Sequence, residues 1–126
     1  VLIDTDVLIW YLRGNENAQE IVNANIPFKI SVITYMELIQ GMKNKRELEI
    51  LQKFLKKNTI KITQINENIS SGAMFLVEDF CLSHSMEMGD ALIATTALEN
   101  KEILLTANDK HYKFIPNIQV QKFKPK

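Results

Sequence analysis

Val1-Leu2-Ile3-Asp4-Thr5-Asp6-Val7-Leu8-Ile9-Trp10-Tyr11-Leu12 opens the chain. The first three residues read as a short buried strand. Two aspartates flanking Thr5 interrupt the apolar run, and Val7, Leu8, Trp10, Tyr11 and Leu12 then read as a helix closed by Gly14. A buried strand that runs directly into acids and a helix sets the pattern that the rest of the chain repeats.

Working outward, a helix is expected from Glu16 to Ala24, then a strand at Phe28-Lys29-Ile30 after Pro27. Val32 to Met42 reads as a helix capped by Ser31, with Gly41 near its end and Glu37 inside it. A charged helix from Asn44 to Lys57 leads to a strand with alternating Ile60, Ile62 and Ile65, and then to a helix from Glu67 to Leu82. Met88 starts another helix that continues to Asn100. Ile103-Leu104-Leu105-Thr106 is a strand ending at Ala107-Asn108-Asp109, and Ile118 to Phe123 reads as a last edge strand. Strands alternating with helices imply an α/β fold with a mostly parallel sheet covered on both faces.

With 126 residues and 46% hydrophobic content, the chain can build one core but not two, so residues 1–126 are expected to form a single domain. No apolar run reaches the ~20 residues of a membrane span, and no secretory leader is visible, which points to a soluble cytoplasmic protein. The lone Cys81 falls in the apolar pattern of its helix and is expected to pack there. Fifteen basic and fifteen acidic residues cancel, so net charge does not signal non-specific nucleic-acid binding. Lys43, Lys45, Arg46, Lys53, Lys56 and Lys57 crowd one segment, and Lys122, Lys124 and Lys126 another. Such runs usually form a solvated face; a surface that tracks phosphates is the alternative reading.

In an open α/β sheet the ligand crevice lies at the carboxyl ends of the strands, where the strand order reverses. Asp4 and Asp109 each follow a strand, and Glu37 and Asp90 lie in early turns of helices, so all four can converge there. Each also has an ordinary explanation. Asp4, Asp6 and Asp90 stand where aspartate caps helices, Asp109 suits a turn, and Glu37 suits a surface. Against this, Glu37 stands among Val32, Ile33, Tyr35, Met36, Leu38 and Ile39, where an unpaired carboxylate would be expensive to bury. Carboxylates about 4 Å apart repel by several kcal/mol at an effective dielectric near 20, so a cluster calls for a cation. Oxygen ligands favour Mg²⁺, with Mn²⁺ as a substitute, and no Cys/His pairing has zinc spacing. Mg²⁺ held by carboxylates can activate a water and stabilise the charge on a phosphodiester, which is nuclease chemistry.

Four segments, in order, resemble the motifs of PIN-domain proteins, above all the VapC-type toxins of toxin–antitoxin pairs. They are Leu2 to Ile9, Ser31 to Gly41, Gly89-Asp90-Ala91-Leu92-Ile93-Ala94, and Leu105-Thr106-Ala107-Asn108-Asp109-Lys110-His111-Tyr112. The resemblance implies a three-layer α/β/α fold with a five-stranded sheet, a homodimer, and an antitoxin partner that blocks the active site. It implies a Mg²⁺-dependent endoribonuclease that acts on RNA and, as the toxin of a type II pair, inhibits translation. By position, Asp4, Glu37 and Asp90 match the first three acids of the family, with Asp4 and Asp90 the usual metal ligands. Members differ at the fourth place, where either Asn108 or Asp109 would serve here. Thr5, Thr34 and Thr106 are expected to orient carboxylates, with Asp6 and Asn108 in supporting positions.

Two alternatives stand beside this reading. Asp4-Thr5-Asp6-Val7-Leu8 also resembles the first motif of haloacid-dehalogenase-type phosphatases, but the acid they need four residues after Gly-Asp is Ala94 here. A catalytically silent domain with the same fold, binding a partner or RNA without cleavage, is the other.

Overall fold

In the computed structural model, which describes residues 1–126, the chain begins with β1 (Leu2–Ile3) and α1 (Thr5–Leu12). It continues through α2 (Glu16–Ala24), β2 (Lys29–Ser31), α3 (Val32–Gln40), α4 (Lys45–Lys57), β3 (Lys61–Thr63), α5 (Glu67–His84), α6 (Met88–Glu99), β4 (Leu104–Thr106) and β5 (Val120–Lys122). A short 3-10 turn, Asp109–His111, follows β4. The expected strand and helix order is therefore present; β1 and β4 are one residue shorter than expected, β2 is shifted by one residue, and β3 and β5 keep only the middle of their apolar runs.

Local chemistry explains where the helices start. Asn15, Ser31, Asn44 and Asn66 precede α2, α3, α4 and α5, and each accepts a hydrogen bond from a backbone N–H of the first turn. Asp4 does the same for α1, accepting from the Thr5 N–H. Helix α6 differs, because Glu87 precedes it without capping it by its side chain, and Asp90 stands inside the first turn. Asp90 is thus not a cap. Its carboxylate sits where the helix dipole favours a negative charge.

The five strands are all parallel, in the order β3-β2-β1-β4-β5. From β1 the chain builds outward to β2 and β3, then returns to place β4 and β5 on the other side. The order reverses between β1 and β4, so the crevice at their carboxyl ends opens between Asp4 and Thr106. The Asp4 N–H donates to Leu105 O at 2.9 Å and fixes the two strand ends side by side.

Alternation along the central strands divides the core in two. Ile3 and Leu105 face a cluster with Val7, Leu8, Val22, Phe28, Leu51 and Leu55, whereas Leu2 and Leu104 face Ala73, Ala91, Ala94, Tyr112 and Ile115. Helices thus cover both faces, giving three α/β/α layers. No helix is long and apolar enough to cross a membrane.

Helix α5 lies very close to α6 at one point. A Cβ on Gly72 would fall 2.6 Å from Thr95 Cγ2, and Thr95 is a buried β-branched side chain with little freedom to move. Not every residue of α5 packs inward as its sequence suggests. Cys81 is exposed rather than packed, because the inward stripe passes through Ile69, Ala73, Leu76, Val77 and Phe80 and Cys81 falls off it. Gly72→Ala should lower stability by about 1–2 kcal/mol, overpacking outweighing the gain in helix propensity. In thermal unfolding this is a drop in Tm of roughly 3–8 °C; an unchanged or higher Tm would show that the helices can separate freely.

Candidate active site

Asp4 is the most constrained acid in the crevice. Only 6% exposed, it accepts from the Thr5 N–H on Oδ1 (2.8 Å) and from the Thr106 hydroxyl on Oδ2 (2.8 Å). The Tyr112 hydroxyl lies 3.0 Å from the same Oδ2 and 3.1 Å from Asp90 Oδ1, linking α6 to the end of β1. Asp6, one turn position on, lies against the β4 end. Its Oδ2 accepts from the Ala107 N–H (3.1 Å) and Asn108 Nδ2 (3.0 Å), with Thr106 Oγ1 at 3.3 Å. Its Oδ1 is buried and has no partner.

Charge and burial conflict here. Burial first, and the neighbouring Asp6 second, push the Asp4 carboxyl from its usual 3.8 to about 7, even though three donors act the other way. Burial also raises Asp6, against its hydrogen bonds, with Asp90 adding to the rise. Tyr112, fully buried beside Asp4 and Asp90, has its phenol pushed well above the usual 10 and stays undissociated.

Glu37 reaches the crevice from α3. The Thr5 hydroxyl donates to Glu37 Oε1 at 2.6 Å and lies 3.1 Å from Thr34 Oγ1. Gly89 makes room for it, since a Cβ there would stand 3.2 Å from Glu37 Oε2. The apolar neighbours of Glu37 do not bury it. It is exposed, because Thr34 and Leu38 form the inward stripe of α3 while Met36 and Glu37 face out.

The fourth acid has a cationic neighbour. Asp109 pairs with Lys122 Nζ at 3.6 Å, while it is Asn108 that reaches Asp6. Sequence reasoning missed two residues: Tyr112, which looks like any core aromatic, and His111, whose Nδ1 lies 3.2 Å from Asp90 Oδ2. Their adjacency to Asp109 in the last motif was the available signal. Of the three threonines, Thr5 and Thr106 donate to the carboxylates of Glu37 and Asp4, whereas Thr34 lies against the Thr5 hydroxyl.

No three acidic or histidine side chains close around a single point at ligating distance. Mg²⁺ does not need such a cage, because it keeps several waters and is commonly held by one or two carboxylates. The donor set here fits it: all oxygen, anionic, crowded enough to raise proton affinity, with the buried Oδ1 of Asp6 lacking any partner.

A family model described as PIN domain matches residues 1–115. The chain belongs to the PIN-domain family. Ribonuclease VapC19 of Mycobacterium tuberculosis is 30% identical over 123 residues, which cover 94% of this PIN domain chain and 96% of that protein. Ribonuclease VapC10 of the same organism is 33% identical over 116 residues, 89% of this chain and 85% of that one. Among solved structures, a toxin–antitoxin complex from Klebsiella pneumoniae contains a chain with TM-score 0.76 and 26% identity, covering 98% of this chain and 99% of its own. The DNA-bound VapBC of Salmonella typhimurium gives TM-score 0.80 at 23% identity with 96% of both chains covered, a likeness of fold. Membership in the PIN family displaces the phosphatase reading of Asp4-Thr5-Asp6.

The raised Asp4 has a measurable consequence for this PIN domain. Because its folded value of about 7 lies above the unfolded 3.8, the folded state binds the proton more tightly. Its contribution to stability is therefore greatest below about 4 and is lost as pH rises through about 7. In chelator, Tm should fall by several degrees between about pH 5 and pH 8, and Mg²⁺ should restore more at the higher pH, where it displaces no proton. A Tm that is flat across this range in chelator, or identical metal effects at both pH values, would contradict this origin of the conflict.

Proposed function

We propose that this PIN domain is a Mg²⁺-dependent endoribonuclease and the toxin of a type II toxin–antitoxin pair, inhibiting translation by cutting RNA in the cytoplasm. The observation that carries the reading is the convergence of Asp4, Asp6 and Asp90 at the switch between β1 and β4, with Asp4 buried. The names of the Mycobacterium tuberculosis relatives, both ribonucleases, support the reaction. The Klebsiella pneumoniae complex supports an antitoxin partner.

Asp4 and Asp90 would hold the metal, with Mn²⁺ an alternative, and Glu37 would join directly or through a water. Bound there, Mg²⁺ supplies an activated water and offsets charge on the phosphodiester. The chain's own residues do the orienting. Thr5 fixes one Glu37 oxygen, Thr106 fixes one Asp4 oxygen, and Asn108 fixes Asp6. Asp109 would be the fourth member of the acid set, its carboxylate 3.6 Å from Lys122 Nζ.

A groove of about 440 Å³ runs on from Glu37 between α1, α3 and the start of α4, with Arg13 and Lys43 on its rim. Those cations can meet RNA phosphates, and Lys43 belongs to the lysine-rich segment. An antitoxin that blocks the site would cover this groove. Met74, Phe75, Leu82 and Met88 are exposed along α5 and the start of α6, which supports a homodimer through that face.

The test is cleavage of a mixed cellular RNA pool by protein free of antitoxin, with Mg²⁺, with chelator, and with Asp90→Asn. Losing only an outer partner of a metal ligand costs about 10–100-fold, so loss of Asp90 should cost more. Asp90→Asn should keep or raise Tm in chelator, because one repelling charge is gone. Well-folded protein that leaves every RNA intact would instead make this a silent binding domain.

A further inference from the structure

Tyr112 is the largest of the fully buried side chains, and nothing in the apolar core explains where its hydroxyl ends. The ring packs among Leu2, Ala91, Leu104 and Ile115, held at the end of the 3-10 turn by the Tyr112 N–H donating to Asp109 O at 3.0 Å. A phenylalanine would fill the same space. The hydroxyl instead stands 3.0 Å from Asp4 Oδ2 and 3.1 Å from Asp90 Oδ1, carrying one proton for two carboxylates.

That arrangement has two consequences. First, the separation of the two oxygens cannot exceed the two contacts laid end to end, so one rigid ring sets the span between acids from β1 and α6. Second, the Thr106 and Tyr112 hydroxyls both crowd Asp4 Oδ2, whereas only the Thr5 N–H lies against Oδ1. Oδ1 is therefore the less crowded oxygen of Asp4, with an acceptor position that no chain donor takes.

We infer that Tyr112 is a positioning residue for the metal site: its hydroxyl is a strut that spaces Asp4 from Asp90 and leaves Asp4 Oδ1 as the ligating oxygen. This rests on the proposal that these acids bind a divalent cation. Tyr112 itself touches no substrate. It acts through the two carboxylates, as outer partners of metal ligands do.

The test is Mn²⁺ binding by isothermal titration calorimetry to wild type, Tyr112→Phe and Ile115→Val, each checked for folding by near-ultraviolet circular dichroism. Tyr112→Phe should bind Mn²⁺ about tenfold or more weakly, while Ile115→Val, which trims the same core without touching the acids, should bind as wild type does. Binding by Tyr112→Phe within about twofold of wild type overturns the strut and leaves the metal reading intact. Equal weakening in Ile115→Val also overturns it, by making the effect one of core packing. No binding by wild type overturns both. Should Tyr112→Phe not fold, wild type labelled at tyrosine Cζ decides: of its three tyrosine resonances, that of Tyr112 must move on adding Mg²⁺, and a Tyr112 resonance that stays in place overturns the strut.

Discussion

Asp4 accepts hydrogen bonds from three separate parts of the chain: the start of α1, the end of β4, and the turn that follows it. A carboxylate this buried, supported only by neutral donors, is an expensive group to keep. It stays because the donors come from the elements that the parallel sheet brings together, where β1 and β4 lie side by side. Asp6 and Asp90 take their places relative to this junction, one through β4 and the other through Tyr112. The conflict between burial and charge is a property of the fold's centre, and it is what a divalent cation would relieve.

Much of the fold can be read from the chain because its signals are local. Leu2-Ile3 and Leu104-Leu105 are apolar on both sides, as strands covered by helices must be, and the residues after them are polar because the crevice begins there. Asparagine and serine mark the helix starts and behave as caps. Strand ends were less legible: Ile65 belongs to the apolar alternation after β2, yet β3 stops at Thr63 because pairing with β2 ends at Ser31. That limit is set by a partner strand, which no local pattern contains.

The acids themselves were visible, but their connections were not. Asp4 and Tyr112 are 108 positions apart, and the chain carries no mark that a core aromatic will end its ring between two carboxylates. Glu37 was misjudged because apolar neighbours on both sides suggest burial, whereas a helix buries only one stripe of them. Asp109 and Asn108, adjacent in sequence, turn to different partners, Lys122 and Asp6, and only the geometry of the 3-10 turn separates them. Exposure of Cys81 follows the same rule as Glu37: the helix period decides, and the composition of the neighbourhood does not.

The pairing of β1 with β4 also has a consequence in time. During synthesis Asp4 leaves the ribosome long before Thr106 and Tyr112 exist, and at about 5–20 residues per second the interval is roughly 5–20 s. Throughout it the N-terminal acids have neither the strand that aligns them nor the ring that spaces them. The crevice is consequently assembled only when the segment that carries Thr106 and Tyr112 folds back against the strand end that carries Asp4.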